Sequence, residues 1–189
     1  MPPEIVDLLI KNGLVMTQDS EHRIIKNGDI AVKDERVHTI GAGLIVEAHQ
    51  TIDASDHAVL PGFVDAHMHE TLTRGLNEDL PLDRWLEEIC FPLDRAHSPD
   101  SIRAAAMMSQ LEMIQGGITT FVDIYRYPDA AAQVAEISGL RAIFTPQIIT
   151  DPIGAGETIE SNEAFTAKWK NRNPRIQPAF GPHAPYSCP

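Results

Sequence analysis

Up to about Ala58 the apolar positions come in short runs broken by glycine. Leu8-Leu9-Ile10-Lys11-Asn12-Gly13-Leu14-Val15 sets an Asn-Gly step between two apolar stretches, and Ile24-Ile25-Lys26-Asn27-Gly28-Asp29-Ile30-Ala31-Val32 repeats the arrangement. Asn-Gly favours the backbone of a tight hairpin, so each step is expected to turn the chain. Val37-His38-Thr39-Ile40 follows Asp34-Glu35-Arg36 and stops at Gly41-Ala42-Gly43. Residues 1–58 are therefore expected to form a small antiparallel β unit.

From residue 59 the rhythm changes. Val59 to His67 is a short apolar run; Ser98-Pro99-Asp100-Ser101 then opens a helical pattern with Ile102, Ala105, Ala106, Leu111 and Ile114 on one side, stopped by Gly116-Gly117. Ile118 to Tyr125 is β-branched and aromatic and reads as a strand. Asp129 to Ser138 reads as an Ala-rich helix stopped by Gly139, Arg141 to Ile149 as a strand, Glu160 to Trp169 as a helix and Ile176 to Phe180 as a strand. Alternating strands and helices imply a parallel sheet, because a crossover helix brings consecutive strands into one direction. No Gly-x-Gly-x-x-Gly or phosphate loop follows the first strand, which favours a barrel over a nucleotide-binding open sheet. Residues 59–189 hold four such units, half of an eight-strand α/β barrel.

Composition narrows the function. The chain has 189 residues, 43% of them hydrophobic and 22% charged, so it should bury a core and not be disordered. Its formal net charge of −12 makes nucleic acid and anionic membrane poor partners. Cys90 and Cys188 are too few for a disulfide framework, fit a reducing cytoplasm and read as small apolar residues. Neither a signal peptide nor a run of about 20 apolar residues is present, so a cytoplasmic protein is expected.

The chemistry gathers at the end of the first barrel strand. His67 and His69 are two apart on a strand, so their imidazoles leave one face and can converge on a metal ion. By spacing alone such a pair is more often two chance surface or loop histidines; its position at a strand's C-terminal end, the active face of a parallel barrel, adds weight. His22, His38, His49, His57 and His97 have no partner at ligand spacing and are read as solvated.

The run Leu60-Pro61-Gly62-Phe63-Val64-Asp65-Ala66-His67-Met68-His69 resembles the signature that ends the first barrel strand in the amidohydrolase superfamily. Arg74-Gly75-Leu76, Asp79 to Leu86, Glu112 to Thr120 and Phe180 to Tyr186 extend the likeness, which is strongest to deaminases of S-adenosylhomocysteine and methylthioadenosine and to triazine hydrolases. Ile52-Asp53-Ala54 closes a segment resembling the small β-sandwich that flanks such barrels. The resemblance thus implies a β-sandwich segment at 1–58 and strands 1–4 of the barrel at 59–189.

It further implies a mononuclear site, because Phe180-Gly181-Pro182-His183 lacks the lysine of binuclear relatives. One divalent ion is expected, zinc before iron, with His67 and His69 as ligands. A metal-activated water would attack the amine-bearing carbon of a small heterocyclic amine and release ammonia. Trp85, Asp94 and His183 would bind the substrate, with a core aromatic and a capping or solvated carboxylate as the competing roles for Trp85 and Asp94. Asp65 would orient the strand end, and Arg74 would be structural. The remaining ligands and the catalytic proton carrier are expected beyond residue 189, leaving no catalytic residue inside this chain, which by itself would be inactive. Homo-oligomers are expected of the completed enzyme. Where adenosine-derivative deaminases carry an arginine for the substrate's carboxylate, this chain reads Thr145-Pro146-Gln147, which argues against S-adenosylhomocysteine itself. A triazine-type chlorohydrolase or alkylaminohydrolase, and an incomplete half-barrel that needs a partner chain, are the other readings.

Overall fold

A computed structural model describes residues 4–70, 79–149 and 157–188. Arg74-Gly75-Leu76 lie outside the described residues. The chain divides into two units, Met1–Pro61 and Gly62–Pro189.

In the first unit β1 (Glu4–Met16), β2 (Ile24–Lys33), β3 (Arg36–Ala42), β4 (Val46–Asp53) and β5 (Ala58–Val59) form a single sheet of order β3-β2-β1-β4, with β5 also beside β1. β1, β2 and β3 pair antiparallel, but β4 and β5 run parallel to β1, which corrects the all-antiparallel expectation. A period-two pattern says which face is buried and carries no information about the direction of a strand some forty residues away. The two Asn-Gly steps do not turn the chain either. Gly13 and Gly28 face each other inside the β1–β2 ladder, where the register shifts on both sides of Gly13. Asn12 and Asn27 hold left-handed backbones (φ 63° and 49°), so each step accommodates an irregularity within a strand. The buried Asp29 carboxylate pins this region, accepting from the N–H groups of Asn12 (3.0 Å) and Leu44 (2.9 Å). The tight turn lies at Asp34-Glu35, both at positive φ, between the paired residues Lys33 and Arg36.

In the second unit β6 (Phe63–Met68), β7 (Ile118–Asp123), β8 (Arg141–Phe144) and β10 (Ile176–Pro178) form a wholly parallel sheet in chain order, β6-β7-β8-β10. β9 (Gln147–Ile148) and β11 (Gly181–Pro182) pair in parallel just beyond. The two continuous strands expected at 141–149 and 176–180 are thus each broken. Pro146 has no N–H to give a ladder, and the Thr145 N–H turns to the Asp123 carbonyl (2.8 Å).

Helices α3 (Pro99–Gln115), α4 (Pro128–Ser138) and α5 (Ile159–Trp169) carry the crossovers. Ser98 and Thr158 start α3 and α5 with reciprocal capping boxes. α3 buries Ile102, Ala106, Gln110 and Met113, whereas Leu111 and Ile114 are half exposed, against the stripe expected from sequence. Leu111 is nine residues from Ile102, about 180° round the helix. Gln110 occupies the inner face because its amide donates to the Ala131 carbonyl (3.4 Å) and accepts from the Ser138 hydroxyl (2.6 Å). Alanines 130–132 and 135 are buried on α4, and a relay of ring contacts, Phe121–Phe144–Phe165–Trp169, fills the core behind the sheet.

Candidate active site

Parallel strands deliver their C-terminal ends to one edge of the sheet, and the polar side chains of this unit collect there. His67 lies near the end of β6 and His69 just past it; Asp123 closes β7, with Tyr125 two residues on; Gln147 opens β9; His183 follows β11. The helical stretch between β6 and α3 supplies the remaining wall through α1 (Leu82–Trp85), a π-helical turn (Leu86–Cys90) and α2 (Phe91–Ala96). In an α-helix residues five apart point about 140° away from each other. The wider π turn brings them back toward one face, so that Trp85 and Cys90, and Leu86 and Phe91, line the same cleft together with Asp94.

That cleft is open to solvent and has a cavity volume of about 110 Å³. Four of the five residues singled out from sequence line it: His69, Trp85, Asp94 and His183. The fifth, His67, stands edge-on to His69 with ring centroids 5.0 Å apart. The His69 Nδ1 is 2.6 Å from the Ile124 carbonyl, and because a carbonyl only accepts, Nδ1 carries the proton and Nε2 keeps its lone pair. The Asp65 carboxylate accepts the backbone N–H of His67 (3.2 Å). His183 is held through Nδ1 by the Ser187 hydroxyl at 2.9 Å.

Burial sets the electrostatics. It depresses the pKa of His69, with the Ile124 carbonyl opposing and His67 and His183 adding to it, and it depresses His183 as well. Both rings therefore favour the neutral form. Burial raises Asp94, opposed by the Arg126 guanidinium, whose NH1 donates to the Asp94 carbonyl (2.6 Å) and lies 3.5 Å from its Oδ2. Asp94 is thus neither solvated nor a helix cap. Burial pushes the Cys90 thiol up to about 11, which keeps it protonated.

His97 is not solvated, contrary to expectation. Its ring sits edge-on to Tyr125, its Nδ1 meets the Ser101 hydroxyl (3.1 Å), and burial lowers its pKa. Tyr125, Arg126 and Glu70 also escaped the sequence reading. Glu70 immediately follows His69 and is 1% exposed, with neither carboxylate oxygen hydrogen-bonded; Asp123, equally buried, accepts its backbone N–H at 3.0 Å. Period-two spacing in Phe121-x-Asp123 could have flagged an inward carboxylate, whereas nothing local distinguishes Arg126 or His97. Among the described residues no group of three or more His, Cys, Asp or Glu side chains is arranged to cage a metal ion.

The paired histidines lie at the C-terminal edge of a parallel α/β sheet, the face on which α/β barrels carry their active sites. The pattern of the amidohydrolase family matches residues 58–189, and the chain belongs to that family. It is 34% identical to a 5'-deoxyadenosine deaminase of Methanosarcina barkeri, covering 97% of this chain and 44% of the relative. A 5-methylthioadenosine/S-adenosylhomocysteine deaminase of Aquifex aeolicus is 36% identical, with 98% and 43% covered. Among solved structures, an adenosine deaminase from Xanthomonas campestris with bound zinc superposes with a TM-score of 0.90 at 29% identity, covering 98% of this chain and 45% of the other. The chain spans under half the length of the relatives it matches.

Proposed function

We propose that these residues form the first half of a (β/α)8 barrel, with its flanking β-sandwich segment, in an enzyme that deaminates a heterocyclic amine of nucleoside or nucleobase type. The chain-order parallel sheet supports the barrel, which a doubly wound sheet with its reversal of strand order would not match. The observation that carries the activity is the His67–His69 pair at the rim of the cleft, with the His69 Nε2 left free by the Ile124 carbonyl.

The donor set fits a divalent ion, zinc by the chemistry of neutral imidazoles: burial keeps His69 unprotonated, and a carbonyl behind Nδ1 is the usual support of a ligating histidine. A bound divalent ion supplies Lewis acidity, which brings the pKa of a water toward neutrality. Side chains of this chain bind and orient the substrate. Trp85, Phe91 and Tyr125 wall a slot for a flat ring and exclude solvent from it. Asp94 holds a donor group of the substrate with Oδ1 while Arg126 occupies the other side of its carboxylate, and His183, fixed by Ser187, positions the polar edge of the ring.

The test uses the full-length polypeptide loaded with zinc and assayed for ammonia release from adenosine, 5'-deoxyadenosine and methylthioadenosine, with chloride and alkylamine release from triazines followed in parallel. Ammonia release from a nucleoside that falls at least ~10³-fold, together with bound zinc, in His67→Ala and His69→Ala supports the reading. Zinc content and turnover unaffected by both substitutions would overturn it, and chloride or alkylamine as the product would replace the leaving group.

A further inference from the structure

Just past β7, Tyr125 and Arg126 follow one another, and both act as donors to the same residue of α2, Asp94. Arg126 meets it twice: Nη1 donates to the Asp94 carbonyl at 2.6 Å and lies 3.5 Å from the carboxylate Oδ2. The two side chains are 10% and 9% exposed. α2 is six residues long, and the carbonyls in the last turn of a helix have no partner within it. The guanidinium supplies one from a separate element and so fixes the backbone of Asp94 as well as its carboxylate. Its own place is set by the Tyr127 ring, whose centroid lies 5.1 Å from the guanidinium carbon.

The other oxygen of Asp94 is left over. Oδ1, like Gln147 Oε1 on the cleft floor, is buried with no hydrogen-bond partner among the described residues, and Asp94 lines the cleft. Burial raises the pKa of this carboxyl; the Arg126 charge is the first influence against it, followed by the Tyr125 hydroxyl, with His97 adding to them. Taking the cation from such a pair leaves a buried charge uncompensated, which the carboxyl relieves by protonating or by turning away. Either change removes a charged acceptor from the cleft wall. A lysine would restore the charge but as a single point, not as a planar fork that serves a carbonyl and a carboxylate together.

We propose that Arg126 is a positioning residue: it grips the carbonyl and the carboxylate of Asp94 from the end of β7 and so presents Oδ1 to a donor group of the substrate, acting on the substrate only through Asp94. This rests on Asp94 as the substrate-holding carboxylate of the proposed deaminase, but the coupling between the two residues is a matter of binding and is read without turnover.

The experiment uses the full-length zinc-loaded protein and compares the wild type with Arg126→Met, Arg126→Lys, Asp94→Ala and the double variants that combine Asp94→Ala with each Arg126 substitution. Ammonia release from 5'-methylthioadenosine gives kcat and KM, and calorimetry gives the Kd of the deamination product 5'-methylthioinosine, which is not turned over. Arg126→Met should raise KM and Kd at least ~10-fold, the worth of a charge-assisted hydrogen bond, with kcat reduced less than ~3-fold. Its double variant should bind within ~2-fold of Asp94→Ala alone, because nothing is left for Arg126 to position. Arg126→Lys should raise both constants ~3-fold or more and, with its own double variant, carries the test if Arg126→Met does not fold, which circular dichroism and zinc content decide. KM and Kd within ~2-fold of the wild type in folded Arg126 variants, or penalties that multiply in the double variants, overturn the proposal. A wild type that binds neither nucleoside overturns it together with the deaminase reading. Coupled binding of the product without ammonia release sinks the deaminase reading and leaves the role of Arg126 standing.

Discussion

Glu70 and Asp123 put two carboxyl groups in one solvent-free spot at the ends of β6 and β7. Burial pushes Asp123 up to about 7, with the Glu70 N–H opposing, and burial together with the Asp123 charge raises Glu70 well above its ordinary range. Two adjacent carboxylates with no cation paired to them among the described residues cannot both ionise cheaply, so a proton stays with the pair. The folded state then holds more protons than the unfolded chain between the ordinary Asp value of 3.8 and about 7. The stabilisation is complete below that window and is lost as pH rises through it, at up to about 1.4 kcal/mol per proton per pH unit. Asp123→Asn, which keeps the acceptor for the Glu70 N–H, should flatten the decline of urea-unfolding free energy between pH 4 and 7 and leave the variant more stable than the wild type at pH 7.5. A wild-type curve already flat over that range would count against the shared proton.

Elements position the cleft through close backbone approaches. β11 lies against the β8–β9 bend so tightly that a Cβ on Gly181 would fall 2.5 Å from the Thr145 carbonyl oxygen and 3.0 Å from that of Pro146. No side chain can move aside there, because the obstacles are backbone. Gly181→Ala should push β11 outward, cost roughly 1–3 kcal/mol in urea unfolding and, because His183 is two residues further on, weaken nucleoside binding as well. Loss of stability with unchanged affinity would mean that the Ser187 contact alone places His183. The π turn does comparable work on the opposite wall, since a regular α-helix through residues 86–90 would swing Cys90 and Phe91 away from the face that carries Trp85 and Leu86.

Across the molecule, the parallel sheet is open at both sides. β6 and β10 each pair with one strand only among the described residues, and Phe63 and Val64 on β6 are 56% and 65% exposed. Unpaired N–H and C=O groups beside exposed apolar side chains invite edge-to-edge association. A net charge of −12 spread over the surface slows that association without covering the edges. Expressed by themselves, the 189 residues should elute with a light-scattering mass above 20.8 kDa and bind an apolar dye; a monodisperse monomer that does not bind the dye would show that the edges are protected.

How much of this was legible beforehand follows from the range over which each feature is decided. The alternation of strands and helices, the capped starts of α3 and α5 and the His67–His69 pair are local: each is written in side chains within a few residues of one another, and a strand's period of two is enough to send both imidazoles to one face. Trp85, Asp94 and His183 could be named only through a family resemblance, since nothing nearby marks them as neighbours of His69. The sequence by itself determined the alternation of strands and helices from residue 99 onward and that a histidine pair ends the first parallel strand. Only the tertiary structure decided that β4 and β5 run parallel to β1, that the Asn-Gly steps lie inside strands, that Gln110 and not Leu111 faces the core, and that Glu70 meets Asp123 while Gln147 is left unpaired on the cleft floor. Those outcomes depend on partners brought together from distant parts of the chain, and burial, which sets both the cost of an unpaired polar atom and the pKa of a carboxyl, exists only once the partners have met.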